Sequence, residues 1–325
     1  MEEQQQKELW LAGFWRRVGA FILDLLVLAG AGLVLGFALG DVFADMGNWA
    51  KLIGFVIFLA YFGLANSHTG NGQTFGKKVL KIQVVDKHNA TIPVSRAVGR
   101  ASVIAVPYFL NGLQVPNLPD AMGNVLSVIV FGGLLSIFYL AAFNRRTRQS
   151  LHDIVSGTYV VNVGTQPVTL QAVWKPHFAV VGALLVASLF APALIMNMVP
   201  SSAIGSLDQL SATQQRVNQF TAIRYSGVTD GSTTVSSVSN GTNTTHYIRV
   251  EAYPYNKQDV QNQTLAERIA LMVFDSVDAA VERDVILVQL IHGYDIGIAS
   301  SWVSHQFSFS PTQLSQIRNN IQSRD

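Results

Sequence analysis

For its first 199 residues the chain alternates long apolar runs with short basic segments; after that, polar and apolar residues are finely mixed. Val18–Leu39 is 22 residues and almost wholly apolar. At about 1.5 Å per residue a helix of that length crosses the roughly 30 Å hydrocarbon core of a bilayer. It is longer than the apolar core of a cleavable signal, and Met1–Gln6 is acidic where such a signal is basic, so the run reads as a retained span. Four more runs follow: Leu52–Ala65, Ala101–Leu118, Val125–Phe143 and Phe178–Val199. Trp49 and Tyr61 suit interfacial anchors. Pro107, Asn111 and Pro116 interrupt the 101–118 run, which suits an irregular or re-entrant element buried by protein. The pattern predicts an α-helical multi-pass membrane bundle with about five hydrophobic passes, the third a crossing or a re-entrant arm.

Between the runs, Thr69–Asp86 predicts a glycine-rich turn and a strand over Val79–Val85, paired with Thr91–Val94. Pro93–Val106 predicts a helix, and Leu151–Val155 a short amphipathic turn ended by Gly157 before a strand at Thr158–Val163. Residues 207–325 predict the order α-β-β-α-β-β-α, a small antiparallel sheet covered by helices. The expected organisation is a membrane domain over 1–165, a linker and last membrane helix over 166–200, and a small soluble α+β domain over 201–325.

Composition agrees with a membrane protein: 49% of residues are hydrophobic, 13% are charged, and mean hydropathy is +0.30. Soluble domains carry about 25% charged residues. Residues 1–199 hold 14 Lys and Arg against 9 Asp and Glu, whereas the remainder hold 8 against 11. Three basic clusters stand out: Lys7, Arg16 and Arg17; Lys77 to Arg100; and Arg145 to Lys175. Basic residues in short loops stay cytoplasmic. Putting all three clusters inside leaves only Lys51 of the 14 elsewhere, at a helix end where it can snorkel. Clusters two and three then share a side only if 101–143 makes a hairpin. The expected location is the plasma or inner membrane, with the N-terminus cytoplasmic and residues 201–325 extracytoplasmic.

Candidate chemistry starts from Asp24, a carboxylate inside the first span. An intramembrane acid needs a partner or a wet cavity and is a functional-site candidate by default. Arg17 is seven residues upstream on the same face, and is the expected partner. Arg96 and Arg100, four apart, form a basic helical face; Arg100 is a further candidate to reach an acid in the bundle. Asp153 reads either as a helix cap or as an ion-pair partner of Arg145–Arg148. The chain has no cysteine, which excludes disulfides, thiolate metal sites and cysteine nucleophiles. His246, His292 and His305 lack metal-ligand spacing, and Gly72 and Gly76 lack the spacing and the Ser or Thr of a phosphate loop. No nucleophile, base or metal set appears, so neither an enzyme nor a cofactor nor a nucleic-acid partner is expected.

Gly13–Leu28, Gly72–Asp86 and Asn144–Val161 together resemble the RDD family of membrane proteins over about residues 10–163. The family is named for one arginine and two aspartates, which fall on Arg17, Asp24 and Asp153. The resemblance implies a multi-pass integral membrane protein, with cation or proton transport suggested for some members. Two functions are therefore carried forward. One is transport of an ion or small solute through a charge cluster of Arg17, Asp24 and Asp153, with a cation or proton as ligand. The other is a membrane scaffold or assembly protein whose C-terminal domain binds a protein or envelope partner. The bilayer is the partner common to both.

Overall fold

The computed structural model describes residues 10–113, 119–169, 172–198, 201–237 and 241–322. The sequence readings at Lys7 and at 114–118 lie outside them. The chain divides into two compact units: Met1–Leu39, Met46–Met196 and Asp295–Ser300 in the first, Gly40–Asp45, Asn197–Tyr294 and Ser301–Asp325 in the second.

Among the described residues three runs are long and apolar enough to cross a bilayer: Phe14–Ala65, Ala121–Phe143 and Pro176–Ile195. The first holds two helices, α1 (Phe14–Met46) and α2 (Lys51–Ala65). Gly47, at a φ of 57°, breaks the helix between them, a conformation open to glycine at little cost. The two then run antiparallel. Phe21 of α1 meets Phe62 of α2 with ring centroids 5.9 Å apart, and Leu28 is buried in one cluster with Phe58. α3 (Phe75–Val79) and strand β1 (Ile82–Val85) follow. α4 (Val94–Leu110) packs on α2 through Ala101 and Ala105, which share a buried cluster with Phe58 and Phe62; small residues four apart let helix backbones approach. The run expected to make the third pass, 101–118, lies only partly within the described residues. Its described part is the second half of α4, a 17-residue helix that carries Arg96 and Arg100 in its first half.

α5 (Asp120–Ser127), a wide turn at Val128–Gly132 and α6 (Gly133–Phe143) make one continuous apolar run. α7 (Leu151–Ser156) and strand β2 (Tyr159–Asn162) complete the compact polar end. α8 (Pro176–Met198) is apolar on every side, and only 6% of its most apolar window is buried by protein. A helix that shows apolar surface all round requires lipid, not water, as its neighbour.

β1 pairs antiparallel with β2, Ile82 opposite Asn162 and Val85 opposite Tyr159. This corrects the expected pairing with Thr91–Val94. Asp86 does close a tight turn, accepting from His88 N and Ala90 N, but Pro93 has no N–H to give a ladder and instead starts α4. Ile92 bridges Ser67.

The second unit contains α9 (Ser201–Val217), β3 (Ile223–Ser237), β4 (Gly241–Pro254), α10 (Gln263–Ser276), β5 (Val285–Asp295), β6 (Ser300–Phe309) and α11 (Pro311–Gln322). The element order matches the sequence expectation; the sheet differs. Its strands run in the order β3-β4-β5-β6, with β3 and β4 antiparallel but β4 and β5 parallel. The 30 residues between β4 and β5 include α10, long enough for the crossover that parallel neighbours need. Ile248, Val250 and Ala252 of β4 and Ile286, Val288 and Leu290 of β5 alternate inward onto Ala266, Ile269 and Val273 of α10.

Candidate functional site

α1 carries both Arg17 and Asp24, and the structure gives them separate partners. Asp24 is fully buried. Its Oδ1 accepts from Tyr61 Oη at 2.8 Å and from Gly76 N at 2.8 Å; its Oδ2 accepts from Thr74 Oγ1 at 2.6 Å. Each donor has a local cause. Tyr61, expected at the interface, sits on the α2 face that packs on α1, and its oxygen also accepts from Phe75 N. Thr74 precedes α3 in extended conformation and caps it, accepting from Lys77 N. Gly76 permits the approach of α3 to α1: a Cβ there would lie 2.0 Å from the Ala20 carbonyl oxygen.

Asp153, also fully buried, lies in the first turn of α7. Its Oδ1 accepts from Arg100 Nη2 at 2.6 Å and Arg100 Nε at 3.1 Å. Its Oδ2 accepts from Arg17 Nη2 and, at 3.1 Å, from the backbone N of Ser150. Arg17 also donates to the Arg148 carbonyl, and Arg100 Nε to Thr158 Oγ1 at 3.2 Å. Asp153 is therefore both a cap and an ion-pair partner, but its cations are Arg17 and Arg100, not Arg145–Arg148. Burial pushes its carboxyl up; the charges of Arg100 and Arg17, with the Arg100 hydrogen bond, outweigh that and hold it well below the usual carboxylate range.

The expected Arg17–Asp24 pair is corrected here: no ion pair joins them among the described residues, and Arg17 goes to Asp153. Side chains on a helix point back toward its N-terminus. Arg17 thus reaches away from Asp24, which lies about 10 Å further along the axis. Of the sequence candidates, Arg17, Arg100 and Asp153 come together and Asp24 forms a second node.

Arg96, one turn before Arg100, donates to the carbonyls of Ser156 at 2.6 Å and Gly157 at 2.7 Å, the C-terminal end of α7. So α4 grips both ends of α7 with one basic stripe, where a snorkelling face was the simpler expectation. Gly157 ends α7 in the left-handed conformation, at a φ of 60°.

Lys77 was read from sequence only as part of a surface basic cluster. It is buried, with Nζ 3.4 Å from Thr74 Oγ1 and 5.7 Å from the centre of the Phe62 ring. Burial, then the Arg100 charge, push its ammonium down to about 7, against a smaller upward pull from Asp24 and Asp153. Thr74 Oγ1 thus touches both Lys77 and Asp24. The sequence signal was Thr74-Phe75-Gly76, a capping residue followed by a glycine where an ordinary helix former would serve. His152 Nε2 is 3.5 Å from Asp153 Oδ2, but burial holds the ring neutral by pushing its pKa down to about 3, so the contact is polar and not ionic. Among the described residues no group of three or more His, Asp and Glu could hold a metal ion.

A family model described as RDD family matches residues 11–157, which takes in α1 through α7 and every residue of both nodes except Thr158. No curated protein and no solved structure matches the chain. With its apolar helices, the N-terminal part of this chain, residues 11–157, belongs to the RDD family of membrane proteins.

Proposed function

We propose that the protein moves a proton or a monovalent cation across a plasma or inner membrane, with Asp24 and Lys77 as the exchanging groups. One observation carries the reading: Asp24 is a fully buried carboxylate held by neutral donors only, with a buried amine one hydroxyl away through Thr74. An amine that gains and loses its proton around neutral pH changes the charge beside that carboxylate from balanced to unbalanced. A cation or proton can then take the place of the ammonium. The reaction is transport and not bond chemistry, and it asks for no cofactor.

The scaffold reading keeps one part of the molecule. Asp153, doubly paired and capping α7, has the partner set of a structural lock joining α1, α4 and α7. The proposed topology has five hydrophobic passes, a cytoplasmic N-terminus and an extracytoplasmic C-terminal domain open to a protein or envelope partner. It is supported by the meeting of all three basic clusters. β1 pairs with β2, Arg96 and Arg100 reach α7, and Arg17 reaches Asp153, contacts that favour one side for the segments before 101 and after 143.

The test is reconstitution of the full chain in liposomes loaded with a pH-sensitive dye, under imposed Na+ or K+ gradients. Wild-type protein is expected to move protons against the cation gradient and Asp24→Asn to lose that flux while staying folded. Equal flux in the two proteins would overturn the assignment of Asp24.

A further inference from the structure

A cavity of about 420 Å³ lies between α1, α4 and α6, and its two ends differ in chemistry. At one end are Arg17, Lys77, Arg100 and His152. At the other are Leu25, Ile104 and Leu134. Arg17 to Leu25 on α1 is about 12 Å of helix, which sets the distance from the charged end to the apolar end. Among the described residues no carboxylate lines the cavity. Phe14 of α1 and Phe138 of α6, both in its lining, are 40% and 70% exposed. Both stand on apolar helices, the kind of surface that lies against lipid.

The charged end has donors to spare. His152 is 8% exposed and its Nδ1 has no hydrogen-bond partner. A buried ring nitrogen without a partner costs about 1–3 kcal/mol, and with the ring proton on Nδ1 it marks a place where a ligand oxygen would be gained. Lys77 makes one long hydrogen bond, to Thr74, and keeps further N–H groups. Arg17 and Arg100 are committed to Asp153 but leave their positive field in the cavity floor. An apolar shaft that ends in cations and an unpartnered nitrogen is complementary to one kind of molecule.

We infer that this cavity holds a single acyl chain with an anionic head, a long-chain fatty carboxylate taken from the membrane, its head on Lys77 and His152 and its tail toward Leu25 and Leu134. The volume lies within the range of ordinary ligand sites, roughly 300–1,000 Å³, and suits one chain better than the two of a phospholipid. The site shares Lys77 with the transport reading but does not rest on it: occupancy is measured without flux, so the two readings fail separately.

The experiment uses the purified full chain in a mild non-ionic detergent. Binding of isotope-labelled oleate is compared with that of oleyl alcohol, which has the same tail and no charge, and of a diacyl phosphatidylglycerol. Saturable oleate binding is expected, with the alcohol weaker by about tenfold, the scale of one charged hydrogen bond. Lys77→Met should weaken oleate by a similar factor. Ala141→Phe, which adds bulk to the cavity lining from α6, should abolish saturable binding while size-exclusion behaviour stays that of the wild type. If oleate and the alcohol bind alike, the charged end plays no part and the inference fails. If Ala141→Phe folds and still binds oleate, the cavity is not the site. If only the diacyl lipid saturates, the occupant is wrong.

Discussion

Asp24 and Asp153 are both fully buried, yet they are satisfied in opposite ways. Asp153 draws two guanidinium groups and a backbone N–H from three separate parts of the chain. Asp24 draws a phenol, a hydroxyl and a backbone N–H, with an amine held one group away. An arginine does not give up its proton in a protein, so the first set has one charge state over ordinary pH. The second contains a lysine that titrates near neutrality, so its charge can change. Burial alone therefore does not mark a working acid. The titration range of its partners does.

The comparison breaks most sharply at Asp153→Asn. That change leaves Arg17 and Arg100 buried without a counter-charge, and a cost of about 3–5 kcal/mol is expected. It should appear as loss of folded protein on size exclusion and a large fall in Tm. A milder effect than that of Asp24→Asn would reverse the assignment of lock and site.

Gly76→Ala is expected next in size. The new Cβ meets backbone, the Ala20 carbonyl, so α3 has to move off α1 and its N–H leaves Asp24. Overpacking of this kind costs about 1–3 kcal/mol, and both Tm and flux should fall.

Asp24→Asn should cost less in stability, about 1 kcal/mol, because the amide oxygen still accepts from Tyr61 and Gly76 and the Thr74 hydroxyl can turn to accept. Its signature is a folded, inactive protein.

The pH dependence tests the amine. Lys77 is pushed from 10.5 down to about 7 in the fold, so between those values the unfolded chain binds the extra proton. Stability should then rise with pH across that window, and the contribution is absent below about 7 where both states are protonated. Tm measured from pH 7 to 9 should climb in wild type and climb less in Lys77→Met.

The smallest effect is expected at a pair on the second unit's surface. Arg318 and Asp275 are 3.2 Å apart but about half exposed, and Asp275→Asn should cost under about 1 kcal/mol. A loss comparable to Asp153→Asn would mean that exposure does not separate these pairs.

Much of the architecture was legible because it rests on local rules. The apolar runs, the change of composition near residue 200, the αββαββα order and the Gly157 stop each follow from neighbouring residues. The sheet was half legible. The near-continuous apolar run Val285–Ile291 marks a buried strand, but a parallel and an antiparallel neighbour satisfy it equally. At the candidate site, Arg17, Asp24, Arg100 and Asp153 stood out as charges out of place. Tyr61, Thr74 and Lys77 did not, since a tyrosine at a helix end, a threonine before a short helix and a lysine in a basic loop are all ordinary.

By itself, then, the sequence determined that the first half of this protein is a bundle of apolar helices with buried charge in it, and which residues carry that charge. Only the tertiary structure decided who pairs with whom. Arg17 passes over an acid seven residues away for one 136 residues away because helical side chains lean toward the N-terminus and α4 brings Arg100 and α7 to the same place. Lys77 likewise becomes a titrating group only because α3 folds against α1 and α2, removing from water an ammonium that its own neighbours in sequence would have left exposed.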